Sequence, residues 1–230
     1  MSNCVAPPPL DAWGLSGPVQ HLHGGHRNTV LRLGDHVLKS TRRTEAAIAW
    51  LVPICRAAAR FGLAVPAPIA SRSGSLVVDG WTCEPFVDGV PTPPNRVASA
   101  MRDLHIRLRS HPQRPGFASA RDLCTIDAGG DVDLTDMPPP LVTALRAAWA
   151  TLPAERTVIH GDLNPSNILT DANSTPHLID WDEARSDAAT FDLATWSQTP
   201  TPRAVLAWEI ACCWHIEPER ARRLAQQFTD

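Results

Sequence analysis

Residues 158–183 read VIHGDLNPSNILTDANSTPHLIDWDE, and the interpretation of the whole chain starts from this stretch. An apolar run precedes a polar turn, a second apolar run follows it, and a third leads into Asp180. This pattern predicts a strand, a loop and a short hairpin, with Asp162, Asn167 and Asp180 at the strand ends. Two carboxylates and one amide suit Mg²⁺, which takes a few oxygen ligands from protein and the rest from water and phosphate.

The order and spacing of these residues resemble a known signature. His160, Asp162 and Asn167 are similar to the H-x-D-x-x-x-x-N catalytic loop of kinase-like phosphotransferases, and Asp180 is similar to the metal-binding Asp of D-F-G. The Gly after His160, the N-P-S-N run and I-D-W-D in place of D-F-G resemble the aminoglycoside phosphotransferase family of small-molecule kinases, which is related to choline kinases. Each residue alone also suits an ordinary turn, but their combined order favours the signature.

The resemblance implies an α+β, protein-kinase-like fold with two lobes. The N-terminal lobe, placed at residues 1–86, would contain a small antiparallel sheet, and the C-terminal lobe, placed at 87–230, would be mainly helical. Apolar residues at helical spacing support the second part. They predict helices near 95–110, after the Pro138–Pro140 run, and at 203–215 and 218–227.

The resemblance also implies a role for each residue of the central motif. Asp162 would be the catalytic base that takes the proton of the acceptor hydroxyl. Asn167 and Asp180 would hold Mg²⁺, and His160 would organise the loop. Asp192, in the segment FDLATW, would steady the loop from below as structural support.

Composition excludes several classes of function. The 230 residues are 43% apolar and 20% charged, which is typical of one or two globular domains with a real core. A net charge of -3 provides no basic field for nucleic acid or for an anionic membrane. No apolar run approaches the ~20 residues of a transmembrane helix. The six Cys lack C-x-x-C spacing and the N-terminus lacks the features of a signal peptide, so we expect reduced thiols in a cytoplasmic protein.

Two glycines near the N-terminus lie between predicted strands at 18–23 and 29–33. Gly24, Gly25 and Asn28 form the connection, and a third strand follows. This layout is typical of the phosphate cover of kinases, because backbone N–H groups of glycine can approach phosphate closely. A plain hairpin turn is the alternative.

Lys39 is the only lysine of the chain and ends the predicted strand at 36–39. A compact ammonium at this place suits contact with nucleotide phosphates, and a solvated surface lysine is the alternative. By resemblance, Glu45 in the predicted helix at 44–51 would pair with Lys39. Otherwise Glu45 is an acid favoured by the helix dipole.

The Asp79-Gly80 pair between apolar runs at 75–78 and 81–86 predicts a β-hairpin. By resemblance, Glu84 and Phe86 enter the hinge between the lobes, whose backbone would bind adenine. A plain loop fits the same residues.

These features imply transfer of the γ-phosphate of ATP or GTP to a hydroxyl of a small molecule, with Mg²⁺. Eleven residues separate Asp180 from Asp192 and no A-P-E follows, so the peptide-docking segment of protein kinases is missing. Aminoglycoside-, choline- and sugar-like acceptors all stay open, as does the oligomeric state. The alternative function is a catalytically weak nucleotide-binding regulatory module with the same fold.

Overall fold

The structure is a computed structural model that describes residues 6–22, 28–196 and 202–229. Gly24 and Gly25, the predicted phosphate-binding glycines, lie outside the described residues. In chain order, the first regular elements are β1 (Gln20–His21), β2 (Val30–Leu33), β3 (His36–Ser40), α1 (Glu45–Ala49), α2 (Leu51–Ala59), β4 (Trp81–Pro85) and β5 (Val90–Pro91).

The second part of the chain is richer in helices. Its elements are α3 (Ala98–Arg107), β6 (Ala128–Gly129), β7 (Val132–Asp133), α4 (Pro139–Ala150), β8 (Thr157–Ile159), β9 (Ile168–Thr170), β10 (Pro176–Leu178), β11 (Arg185–Asp187), α5 (Thr190–Leu193), α6 (Arg203–Cys213) and α7 (Pro218–Thr229). Each helix predicted in this part of the chain therefore corresponds to an observed one, with ends shifted by a few residues. The mixture of an antiparallel sheet and helices confirms the predicted α+β class.

The largest sheet is antiparallel with the strand order β1-β2-β3-β4. Leu31 pairs with Leu38, and Leu38 pairs with Cys83, so apolar side chains align across the strands. On this face Leu31, Leu38 and Trp81 are almost completely buried and pack with residues of the N-terminal segment, among them Trp13. Lys39 lies one residue further along β3, and alternation along the strand therefore directs it to the opposite face.

The hairpin predicted at Asp79-Gly80 forms its turn, but only one of its two strands. Asp79 and Gly80 both have positive φ, at 49° and 77°, and Val78 forms an isolated bridge with Trp81. The residues before Val78 do not continue the ladder, because the N–H groups of Leu76 and Val77 donate to the carboxylate of Glu45 instead. A side chain distant in sequence thus replaces the second strand.

The helix predicted at 44–51 is interrupted. Thr44 caps α1 by accepting the N–H of Ala47 at 3.3 Å, and α1 ends before Trp50. The next helix, α2, begins at Leu51 with Pro53 in its first turn, where the missing N–H of proline costs no helical hydrogen bond.

The helical part has its own core. α6 packs against α4 and α7, and large apolar side chains fill the space between them. Trp149, Leu145 and Ile210 are fully buried, and the Trp208 ring contacts those of Trp149 and Phe191 in edge-on geometry. The face of α4 that carries Leu141, Leu145 and Trp149 is therefore part of this core.

The described residues form two compact units. One contains the chain up to Pro91 together with Leu169–Ile179, and the other contains Thr92–Ile168 and the chain from Asp180 onward. The division into lobes at residues 86 and 87 stays a prediction. None of the helices in the described part of the chain is long and apolar enough to cross a membrane. The cysteines among the described residues, Cys55, Cys83, Cys124, Cys212 and Cys213, are free thiols.

Candidate active site

The polar turn of the central motif begins where a buried strand ends. β8 pairs with β11 in antiparallel register, with Ile159 opposite Arg185. Gly161 follows with a φ of +86°, and a Cβ at this position would lie 2.9 Å from the carbonyl oxygen of Glu183 and 3.0 Å from Nη1 of Arg185. Both the left-handed backbone and the close approach require glycine, which explains the G of the HGD motif.

Asp162 lies in a dense hydrogen-bonded turn. Its Oδ1 accepts the amide of Asn164 at 3.0 Å, and its Oδ2 accepts Nδ2 of Asn167 at 2.9 Å. The backbone N–H of Asp162 donates to Nδ1 of His160 at 3.3 Å. The turn continues into a short 3-10 helix, Pro165–Asn167, because the side chain of Asn164 caps it by accepting the N–H of Ser166. The structure therefore brings His160, Asp162 and Asn167 together.

Asn167 is oriented in a way that fits a metal ligand. Its Nδ2 donates to both the backbone oxygen and Oδ2 of Asp162, each at 2.9 Å. The amide nitrogen is thus used within the loop, and the amide oxygen is the atom left to bind a hard cation. The part of the chain that the structure describes contains no cluster of three or more His, Cys, Asp or Glu side chains that could hold a metal by themselves. A Mg²⁺ held by Asn167 and Asp180 would therefore need phosphate and water as further ligands.

Asp192 lies beneath the turn and is completely buried. Its carboxylate accepts the backbone N–H groups of His160 and Gly161, each at 2.9 Å, and Nε2 of His105 lies 2.9 Å from its Oδ2. Burial alone would raise the pKa of Asp192, but the hydrogen bond and charge of His105, with help from His160 and Gly161, lower it overall. These contacts agree with the supporting role predicted for Asp192, and the role itself stays a prediction.

Asp180 lies at the start of a second turn. Its φ of 62° and ψ of 63° place it in the left-handed region, which is uncommon for residues other than glycine and which Asp tolerates better than most. Trp181, the next residue, packs its ring on that of His160, with centroids 4.8 Å apart. The buried Arg114 holds the same turn, because its Nη1 donates to the carbonyl oxygens of Trp181, Asp182 and Ala184.

The remaining predicted site residues belong to the other unit, and here one pairing is corrected. Nζ of Lys39 lies 3.0 Å from Oε1 of Glu84. Both oxygens of Glu45 accept backbone N–H groups, those of Leu76 at 2.7 Å and Val77 at 2.9 Å. The expected Lys39–Glu45 ion pair is therefore wrong. The reason is that Glu45 begins α1 and reaches the loop at 76–77, whereas β3–β4 pairing brings Glu84 to Lys39.

The predicted hinge residue Phe86 also has partners within the sheet. Its backbone N–H donates to the carbonyl oxygen of Asp35 at 2.8 Å, and the Arg32 guanidinium lies 3.5 Å above its ring. A hydrogen bond from this N–H to adenine would replace the one to Asp35. Asn28, the last residue of the predicted phosphate cover, lies two residues before β2.

The family model described as the phosphotransferase enzyme family, APH, matches residues 11–224. The chain belongs to this family. The family assignment from the HGDLNPSN and IDWD motifs is thereby confirmed, and so is the phosphotransferase class of the enzyme. A comparison with curated proteins found no match for this phosphotransferase.

Solved structures similar to this phosphotransferase have the same kind of fold. A microcompartment-associated aminopropanol kinase is 16% identical with a TM-score of 0.62, and the alignment covers 96% of this chain and 92% of that one. A choline kinase from Streptococcus pneumoniae is 13% identical with a TM-score of 0.59, covering 93% and 95%. A spectinomycin phosphotransferase in complex with ADP and spectinomycin is 11% identical with a TM-score of 0.53, covering 95% and 91%. These likenesses confirm the predicted kinase-like fold.

Two residues that support the candidate site, His105 and Arg114, are not predicted from the sequence. His105 is buried on α3, and its partner is Asp192, beneath the turn of the proposed base. Arg114 had no sequence signal at all, because it lies in a loop rich in Pro and Gly. The helical spacing of the apolar residues around His105 predicts that its side chain is buried. Only the tertiary structure shows that its partner is Asp192.

Proposed function

We propose that this phosphotransferase transfers the γ-phosphate of ATP or GTP to a hydroxyl group of a small molecule, with Mg²⁺. The observation that supports the proposal most is the double hydrogen bond from Nδ2 of Asn167 to Asp162. This double hydrogen bond fixes the orientation of Asp162, the proposed base, and leaves the amide oxygen of Asn167 for the cation in the same turn. Phosphoryl transfer depends mainly on positioning and charge stabilisation. The hydrogen bonds of this turn hold the Asp162 carboxylate in one orientation.

Each residue has one task in the proposed reaction. Asp162 orients the acceptor hydroxyl and takes its proton as the phosphoryl group is transferred. Asn167 and Asp180 hold Mg²⁺ by their oxygens, and Lys39 binds phosphate oxygens of the nucleotide. Bound Mg²⁺ supplies neutralisation of the negative charge on the phosphates.

The acceptor we favour is a small alcohol with little positive charge, such as an amino alcohol or a sugar. A polycationic aminoglycoside needs several available carboxylates. The candidates in the second unit are Asp182, Glu183, Asp187, Glu209 and Glu217. Arg185 pairs with Asp187 at 2.9 Å, and Arg220 pairs with both Glu209 and Glu217. Arginines therefore already neutralise three of these five carboxylates. The acceptors that the similar structures name, aminopropanol, choline and spectinomycin, define the first compounds to test.

The test is a phosphorylation screen on the purified chain. Mg-ATP and Mg-GTP are offered in turn with amino alcohols, choline, sugars and aminoglycosides, and the phosphorylated product is identified by mass spectrometry. We expect product with at least one small alcohol and none without Mg²⁺. If Mg-nucleotide raises the melting temperature but no acceptor of the panel is phosphorylated, the regulatory nucleotide-binding module replaces this proposal; a ligand at 100 times its Kd stabilises by about 2.7 kcal/mol. Absence of both a shift and a product contradicts both functions.

A further inference from the structure

We infer that Glu84 is the carboxylate that positions the ammonium of Lys39 for the nucleotide phosphates. The inference rests on the proposed function, because it assigns Lys39 to phosphate binding. Glu84 then acts through Lys39 and is a positioning residue. Kinases generally need an acidic partner for this lysine, and in protein kinases a helix supplies it. Here the neighbouring strand supplies it.

The strand register explains how the pair forms. Lys39 is opposite Thr82 and Val37 is opposite Glu84 in the antiparallel β3–β4 ladder. Lys39 and Glu84 are thus diagonal neighbours on one face of the sheet, within the reach of long side chains. Their charged atoms, Nζ and Oε1, are 3.0 Å apart.

The surroundings make this ion pair stronger than one at the surface. The side chains of Lys39 and Glu84 are only 11% and 21% exposed. Exposed pairs contribute little because water screens them, whereas partly buried charges interact more strongly. Burial and then the Glu84 charge raise the pKa of the Cys55 and Cys83 thiols.

Glu45 has a different function in the same unit. Both of its carboxylate oxygens accept backbone N–H groups, from Leu76 and Val77. Since carboxylates form their strongest hydrogen bonds with well-placed donors, moving Glu45 to Lys39 would leave those two N–H groups without their acceptor. Glu45 therefore fixes the loop at 76–77, and the sheet, not α1, controls the position of Lys39.

The single lysine of the chain permits a direct test that does not depend on turnover. Lys39 is labelled with a limiting amount of acetic anhydride, and mass spectrometry of its peptide gives the labelling rate. A neighbouring carboxylate favours the protonated amine, and only the neutral amine reacts. We expect Glu84→Gln to accelerate labelling of Lys39 by about fivefold to tenfold. Glu84→Asp should keep a slow rate, and Glu45→Gln should label like the wild type.

Kinetics provide the second measurement once an acceptor is found. We expect Glu84→Gln to raise the KM for the nucleotide and to lower kcat, with the KM for the acceptor unchanged and with partial recovery in Glu84→Asp. The control is Glu155→Gln, because Glu155 forms an exposed pair with Arg109 in the other unit. An equal rise in both KM values would show a merely structural role for Glu84.

The outcomes separate this inference from the proposed function. Unchanged labelling in Glu84→Gln, or faster labelling in Glu45→Gln alone, overturns the inference whatever the activity. Faster labelling in Glu84→Gln, with Lys39 of the wild type protected by Mg-ATP or Mg-GTP, supports both. Faster labelling without protection by either nucleotide supports the ion pair and contradicts the assignment of Lys39 to phosphate, and with it the positioning role.

Discussion

Asn167 donates its side-chain amide twice to Asp162, to the backbone oxygen and to Oδ2, each at 2.9 Å. One side chain therefore fixes the direction of the proposed base and, because its nitrogen is used in these bonds, leaves its oxygen for the proposed Mg²⁺. Two residues five positions apart can do this because the short 3-10 helix Pro165–Asn167 returns the chain toward Asp162. The geometry of this pair is the basis of the first prediction.

Replacing Asp162 by Asn should slow phosphotransfer strongly while leaving the fold intact. The amide retains an oxygen that can accept from Asn164 or Asn167, but it cannot take the proton of the acceptor hydroxyl. We expect kcat to fall by about 10²–10⁴-fold, the usual contribution of a general base. The measurement is the steady-state rate with the best acceptor of the screen, and Asp136→Asn, at an exposed position, is the control. Full activity in Asp162→Asn would refute the base assignment.

Replacing Asp192 by Asn should destabilise the protein and make its stability less dependent on acid. The native carboxylate accepts three hydrogen bonds while buried, so we expect a loss of about 3 kcal/mol or more at neutral pH. Because the pKa of Asp192 is lowered in the folded protein, its stabilisation is present above the unfolded pKa of about 3.9 and is lost as pH falls through the folded value. Urea unfolding at a series of pH values measures both effects. The difference between wild type and variant should therefore shrink below about pH 4, and a difference that stays constant there would contradict the charged, buried state.

Replacing Gly161 by Ala should cost more than the same change at a matched glycine. Gly161 and Gly116 have nearly equal φ values, +86° and +81°, but a Cβ at Gly116 meets nothing within 4 Å. Both variants incur about 1–2 kcal/mol for the left-handed backbone. Gly161→Ala additionally meets the Glu183 carbonyl, so we expect a further loss of about 1–3 kcal/mol and a strong loss of activity. Equal unfolding free energies for the two variants would show that the turn can shift without cost.

Replacing Arg114 by Met should weaken the binding of Mg²⁺ by the proposed ligand Asp180, because Arg114 holds the turn that contains Asp180. Its Nη1 donates to three carbonyl oxygens of that turn, and without it those oxygens lose a charged donor. We expect the Mg²⁺ concentration for half-maximal activity to rise by about tenfold, equivalent to about 1.4 kcal/mol. Arg121→Met is the control, because Arg121 donates to the carbonyls of Ala150 and Leu152 at another place. A loss of stability with an unchanged Mg²⁺ requirement would leave Arg114 with a structural role alone.

The thiols of Cys55 and Cys83 should resist alkylation in the native protein. Burial, followed by the charge of Glu84, raises the pKa of Cys55 to about 12 and that of Cys83 to about 11. At pH 8 only about one in ten thousand Cys55 thiols would be ionised, far fewer than for an ordinary thiol with a pKa of about 8.5. Pulse labelling with iodoacetamide, read by mass spectrometry, checks this, with urea-unfolded protein as the control. Rapid native labelling of either thiol would show that its buried surroundings open.

Much of the fold could be predicted from the sequence because its signals are local. Alternating apolar residues gave the strands from Val30 to Ser40, helical spacing gave the helices of the second unit, and Asp79-Gly80 gave its turn. The order of His160, Asp162 and Asn167 gave the family, which the family match confirms. The sequence could not show that the predicted strand before Asp79 is missing, because the N–H groups of Leu76 and Val77 bind the distant carboxylate of Glu45.

The sequence by itself determined which groups are available for chemistry: one ammonium, a turn with a carboxylate and an amide, and a following aspartate. The residues that form a turn are neighbours in the chain, so the sequence alone predicts that the carboxylate and the amide lie in one turn. Only the tertiary structure decided which partner each charge has. Lys39 pairs with Glu84 because strand register makes them neighbours, and Asp192 supports His160 and Gly161 because helix packing buries it beneath them. Such contacts join residues far apart in the chain, and no local pattern specifies them.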